Sequence, residues 1–152
     1  MMTTFLTAAG VLAAEYGVRR AINAAPETDF PKPLCKGYVL RQAHNYGIVG
    51  SRLEKHPKLV LAYQTAATGV AVTGAILVSR TVGAAKPIVR FGAGLAAGGA
   101  LANLAERLTN GYVTDYIHGA EASFPLLQRR IWNIADMAIF NGCVIALAGA
   151  AL

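Results

Sequence analysis

Residues 87–108 read Pro-Ile-Val-Arg-Phe-Gly-Ala-Gly-Leu-Ala-Ala-Gly-Gly-Ala-Leu-Ala-Asn-Leu-Ala-Glu-Arg-Leu. The body of this stretch is small and apolar, and its end is polar. A helix of that length rises about 33 Å, enough to cross a hydrocarbon core of about 30 Å. Gly94 and Gly98 stand one helical turn apart with Gly99 beside them, a spacing that lets helix backbones approach closely in lipid. Asn103, Glu106 and Arg107 are spaced so that they share one helical face. Lipid penalises such a face, so it looks into a bundle or a wet cavity.

Three more stretches, 2–22, 59–79 and 131–152, have similar length and character. The chain of 152 residues is 55% hydrophobic and 14% charged, with a mean hydropathy of +0.43, an apolar excess over ordinary soluble domains. The expected fold is all-α and integral to the membrane: a single domain over 1–152 with four transmembrane helices at 2–22, 59–79, 87–108 and 131–152. Residues 1–14 contain no Lys or Arg, so the first segment lacks the basic start of a secretory signal peptide and reads as an uncleaved helix. The connection 23–58 is too long for a simple turn. Its prolines, the run Tyr38-Val39-Leu40, and Gly47 and Gly50 predict a small strand-containing lobe on the membrane surface. The short connection 80–86 makes the second and third helices antiparallel neighbours.

The net charge of +6 does not indicate nucleic acid, because no basic stripe is interleaved with aromatics. The basic residues flank the hydrophobic segments, where anionic lipid headgroups are the simpler partner. Eight of them surround connection 23–58, against three each for the other two connections. Counted naively, that bias places the first and third connections in the cytoplasm. Cys35 and Cys143 have no CxxC spacing, and His44, His56 and His118 lack zinc-ligand spacing, so neither metal nor cofactor is expected. Ser51, Ser79 and Ser123 have no nucleophile-elbow context.

Two aspartates remain. Asp115 lies in Gly-Tyr-Val-Thr-Asp-Tyr-Ile (111–117), read as loop, and Asp136 in Trp-Asn-Ile-Ala-Asp (132–136), at the start of the last helix. Taken alone, Asp115 is a solvated loop residue, and Asp136 is a helix N-terminal charge favoured by the macrodipole. Connectivity argues for more: the end of the third helix and the start of the fourth share one membrane side. Asn133 and Asp136 share a helical face, and Gly111 lets the chain turn Asp115 back toward Asn103 and Arg107. Two carboxyls brought together there can share one proton and activate a water.

The runs Gly-Gly-Ala-Leu-Ala-Asn-Leu-Ala-Glu-Arg, Gly-Tyr-Val-Thr-Asp-Tyr-Ile and Trp-Asn-Ile-Ala-Asp closely resemble bacterial lipoprotein signal peptidases (signal peptidase II). The resemblance covers nearly the whole chain. It implies a four-helix intramembrane aspartic endopeptidase without a cofactor, with Asp115 and Asp136 as its catalytic dyad. Asn103, Arg107 and Asn133 would line the site and position substrate. The run His44-Asn45-Tyr46-Gly47 looks like the family's asparagine–glycine motif, so Asn45 would face substrate with Gly47 in support. Glu15 and Arg19 resemble the family's acidic and basic pair of the first helix; their spacing also suits a structural ion pair.

The implied substrate is a prolipoprotein, cut just before its diacylglyceryl-modified cysteine. The implied setting is the cytoplasmic (inner) membrane, with the site near the outer leaflet and both termini cytoplasmic, opposite to the naive charge count. A monomer surrounded by membrane lipids is expected, as is inhibition by the cyclic peptide globomycin. Departures from the family pattern are Glu15 and Glu106 for aspartates, Arg19 for lysine, and Ile48-Val49-Gly50 for Ala-Ala-Phe. The last motivates an alternative, a paralogue that binds lipidated peptide or another membrane substrate without the standard cleavage. A small transporter or channel subunit is a second alternative, motivated only by polar groups within a helix bundle.

Overall fold

Small residues along one helix decide the packing of the protein, whose computed structural model describes residues 1–48, 52–81, 86–122 and 125–151. The helices are α1 (Met2–Ala24), α2 (Pro57–Thr81), α3 (Pro87–Asn110), α4 (Pro125–Arg129) and α5 (Ile134–Ala151). The strands are β1 (Lys32–Cys35), β2 (Tyr38–Asn45), β3 (Val113–His118) and β4 (Ile131–Trp132). The α3 helix is the centre of the bundle, packed against α1, α2 and α5. Its apolar span is 56% buried inside the protein, against 17% for α2 and 22% for α5.

Glycine makes that central place available. A Cβ at Gly98 would fall 2.8 Å from the Ala8 backbone of α1, and one at Gly92 2.6 Å from the Ala146 nitrogen of α5. The Gly94–Gly98 pair therefore serves close packing within the chain, against Thr4 and Ala8 of α1. Large apolar side chains point outward instead: Phe5, Leu6, Val70, Phe140 and Leu147 are all exposed. Large exposed apolar side chains on α1, α2 and α5 belong against lipid.

The helices α2, α3 and α5 are long and apolar enough to cross a membrane. The expected first crossing, α1, has the length, 23 residues, but Glu15, Arg19 and Arg20 lower its apolar character, so among the described residues length and composition alone pick out three such helices and not α1.

The expectation of an all-α fold with strands confined to 23–58 is corrected. The strands form one antiparallel sheet in the order β1-β2-β3-β4, and β3 and β4 come from beyond α3. The run 112–117 is rich in β-branched and aromatic residues, which suit a pleated, half-buried surface. Asp115 is thus on a strand, opposite Ala43 of β2, and not in a loop. Likewise Ile131 and Trp132 pair with His118 and Ile117, so the last helix starts at Ile134 and not at 131.

Gly111 makes the turn between α3 and β3. It has φ of 79° and ends α3 in the left-handed conformation, its N–H donating to the Arg107 carbonyl at 2.9 Å. Val49, Gly50, Ser51 and Ser123 lie outside the described residues, as does most of the connection 80–86.

Candidate active site

The site is assembled from the end of α3, the middle of β3 and the first turn of α5. Strand side chains alternate between faces. Thr114 and Tyr116 are buried against α1 and α3, which leaves Asp115 directed to the other side of β3. There it borders a cavity of ≈ 500 Å³ whose wall also includes Asn45, Asn103, Arg107 and Asp136. Asn133 is fully buried and joins the two aspartate segments. Its side-chain amide donates to Asp115 Oδ1 at 2.6 Å, while its Oδ1 accepts the Asp136 backbone N–H at 2.8 Å. The second bond makes Asn133 the N-cap of α5 and fixes Asp136 in its first turn.

Asp115 has a second amide donor, and the Asp136 carboxyl has one of its own. Asn45 Nδ2 donates to Asp115 Oδ2 at 3.2 Å, and Asn103 Nδ2 donates to Asp136 Oδ1 at 2.9 Å. Asn45 is itself set by the Gly47 N–H, which donates to its Oδ1 at 3.0 Å. Arg107 holds the same turn by donating from Nη2 to the Gly47 carbonyl at 2.7 Å, and its Nε bonds Gln64 of α2. The Arg107 Nη1 is buried without a hydrogen-bond partner among the described residues, a donor on the wall of the cavity. Burial, together with the nearby Asp136 carboxyl, pushes Asp115 up to about 7, although Asn133, Asn45 and Arg19 all favour its charged form. Burial, and then the Glu15 charge, also raise Tyr116 above the ordinary phenol range.

The structure brings Asn45, Gly47, Asn103, Arg107, Asp115, Asn133 and Asp136 into one constellation. Glu15, Arg19 and Glu106 lie behind it, linked by ion pairs of 3.1 Å (Arg19–Glu15) and 3.0 Å (Arg19–Glu106). Sequence reading missed Gln64, Thr114 and Tyr116. Gln64 carried a signal, being a lone amide within an apolar segment. Thr114 and Tyr116 carried none while the segment was read as loop. Among the described residues, no three His, Cys, Asp or Glu side chains gather so as to hold a metal ion. The cavity therefore offers a ligand carboxyls, amides and a guanidinium, beside an apolar wall that includes Ile139 and Phe140.

The helix bundle with its small sheet is a fold shared with bacterial membrane enzymes of known structure. Two such enzymes solved by the in meso method, at 2.3 Å and 1.9 Å, superpose on 99% of this chain with TM-scores of 0.78 and 0.77. The matches cover 88% and 93% of those chains at 18% and 16% identity, so the shared property is the fold. The sequence pattern of the family described as Signal peptidase (SPase) II matches residues 8–152, and the chain belongs to that family. A lipoprotein signal peptidase of Pelotomaculum thermopropionicum is 32% identical over 111 residues, 71% of this chain and 61% of that protein. One from Moorella thermoacetica is 43% identical over 63 residues, 40% of this chain and 35% of that protein. The chain thus matches less than two thirds of the length of either relative.

Proposed function

We propose that the protein is an intramembrane aspartic endopeptidase that cuts lipidated prolipoproteins just before the diacylglyceryl-modified cysteine. The observation that carries this reading is that Asp115 and Asp136 border one cavity and are tied together through Asn133. In the proposed reaction a water lies between the carboxyls. The ionised partner takes its proton as oxygen attacks the scissile carbonyl, and the protonated partner donates to the carbonyl oxygen. Two neighbouring carboxyls in a poorly hydrated site resist losing both protons, and the raised Asp115 supports that mixed state near neutrality.

The amides have a defined task in this scheme. Asn45, Asn103 and Asn133 each give an N–H to orienting the carboxyls, and Arg107 Nη1, without a hydrogen-bond partner among the described residues, is a donor suited to a substrate backbone carbonyl. The apolar wall beside Phe140 suits acyl chains reaching in from the bilayer. In this reading α1 is the fourth crossing, its charges being held inside the bundle. The sheet and the site then lie at the outer face of the cytoplasmic membrane.

Purified protein incubated with a precursor carrying diacylglyceryl-cysteine, and with the same precursor unmodified, tests the proposal by mass spectrometry of the products. The expected outcome is a new N-terminus at the modified cysteine and no cut in the unmodified chain. Binding of the lipidated precursor without product would favour the non-cleaving alternative motivated by the Ile48-Val49-Gly50 substitution.

A further inference from the structure

The cluster behind the cavity is more ordered than an ion pair on a membrane helix requires. Glu15, Arg19 and Glu106 are 1%, 5% and 9% exposed, so one cation sits between two carboxylates, all three nearly fully buried. Removing one member of such a set leaves an uncompensated charge, so the set carries a cost unless its hydrogen bonds are well used. They are used on the two aspartate segments. Glu106 accepts the Thr114 backbone N–H at 2.9 Å and the Thr114 hydroxyl at 2.6 Å, gripping the residue just before Asp115. Glu15 accepts the Tyr116 hydroxyl, just after Asp115, at 2.9 Å and bonds the Ala135 N–H, just before Asp136. The Tyr116 oxygen in turn accepts the Ile134 N–H at 3.2 Å. Arg19 donates to Asn103 Oδ1 at 2.5 Å, and Asn103 donates onward to Asp136.

We propose that Glu15, Arg19 and Glu106 are positioning residues that fix the aspartate-bearing strand and helix relative to each other through the neighbours of both aspartates. The proposal rests on the dyad reading for its effect on catalysis, but not for its effect on geometry. Each carboxylate receives two donors from the segments it holds, and a glutamine has one acceptor oxygen. Glu106→Gln therefore loses one tie to Thr114, and Glu15→Gln loses either Tyr116 or Ala135. Tyr116→Phe removes a tie from the strand side while leaving the ion cluster whole.

The test combines two measurements on the full-length protein in detergent micelles. Amide hydrogen exchange should speed up over 113–118 in Glu106→Gln, and over 113–118 and 133–137 in Glu15→Gln and Tyr116→Phe. The rest of α3 and α5 should stay protected. With lipidated precursor, kcat should fall by about tenfold or more while KM stays within about twofold, as expected when reacting groups shift by a fraction of an ångström. Wild-type exchange and kcat in all three variants would overturn the proposal, as would protection lost evenly throughout the bundle. A wild-type chain that never cut the precursor would sink the peptidase reading, and the exchange pattern would still decide whether the cluster positions the two segments.

Discussion

Asp115 is placed where burial opposes its ionisation and three hydrogen-bonding or charged neighbours favour it, with the balance at about 7. A carboxyl raised above its ordinary value of 3.8 keeps its proton longer when folded than when unfolded. Folded protein therefore binds more protons between pH 4 and 7, and stability falls as pH rises through that window. Thermal midpoints measured from pH 5 to pH 8 should decline for the native chain, and less steeply for Asp115→Asn. Activity should show the same group from the other side. In the shared-proton scheme, loss of the Asp115 proton above about pH 7 removes the donor, and kcat should drop along an alkaline limb near that pH. A rate still rising at pH 9 would contradict the shared-proton scheme. At this scale most of the site was legible in the sequence, because Asn45, Asn103, Arg107, Asn133 and both aspartates stand in short recognisable runs. What was not legible is who holds them. The grip of Glu106 on Thr114 and of Glu15 on Tyr116 depends on strand alternation, and nothing in a run read as loop reveals that.

Among the elements, α3 has the most demanding role, since it touches α1, α2 and α5 at once. Its glycines mark where backbones meet. A Cβ at Gly99 would run into the Ala135 carbonyl oxygen, in the first turn of α5 and one residue from Asp136. Gly99→Ala should therefore push that turn away, lowering stability by about 1–3 kcal/mol in the manner of an overpacked core. It should also lower kcat. Gly10→Ala, which meets nothing within 4 Å among the described residues, should do neither. Thermal unfolding of the two variants side by side checks this. Helix positions could be read from hydrophobic length alone, and the observed ends fall within a few residues of those expected. The sheet could not, because β3 and β4 are short and stable only by pairing with β2 and with each other. That pairing is also why the last helix starts later than its apolar run suggests.

Over the whole molecule, the inverted distribution of apolar side chains and the buried ion cluster support the same placement in a bilayer, with the sheet at one surface. The proposed orientation puts that sheet outside. Cys35, exposed on β1, should then react with a membrane-impermeant thiol reagent in intact bacterial spheroplasts, with the modified peptide identified by mass spectrometry. Labelling only after lysis would place the sheet in the cytoplasm, as the naive count of basic residues does. The central claim concerns the dyad, and it is tested most directly by cleavage of a diacylglyceryl precursor under single-turnover conditions, comparing the native chain with Asp115→Asn and Asp136→Asn. Each variant should still accumulate in the membrane and bind precursor, with its rate lowered at least about 100-fold, the lower range of general acid–base contributions. Cleavage at near-native rate by either variant would show that the two carboxyls are not the reacting groups.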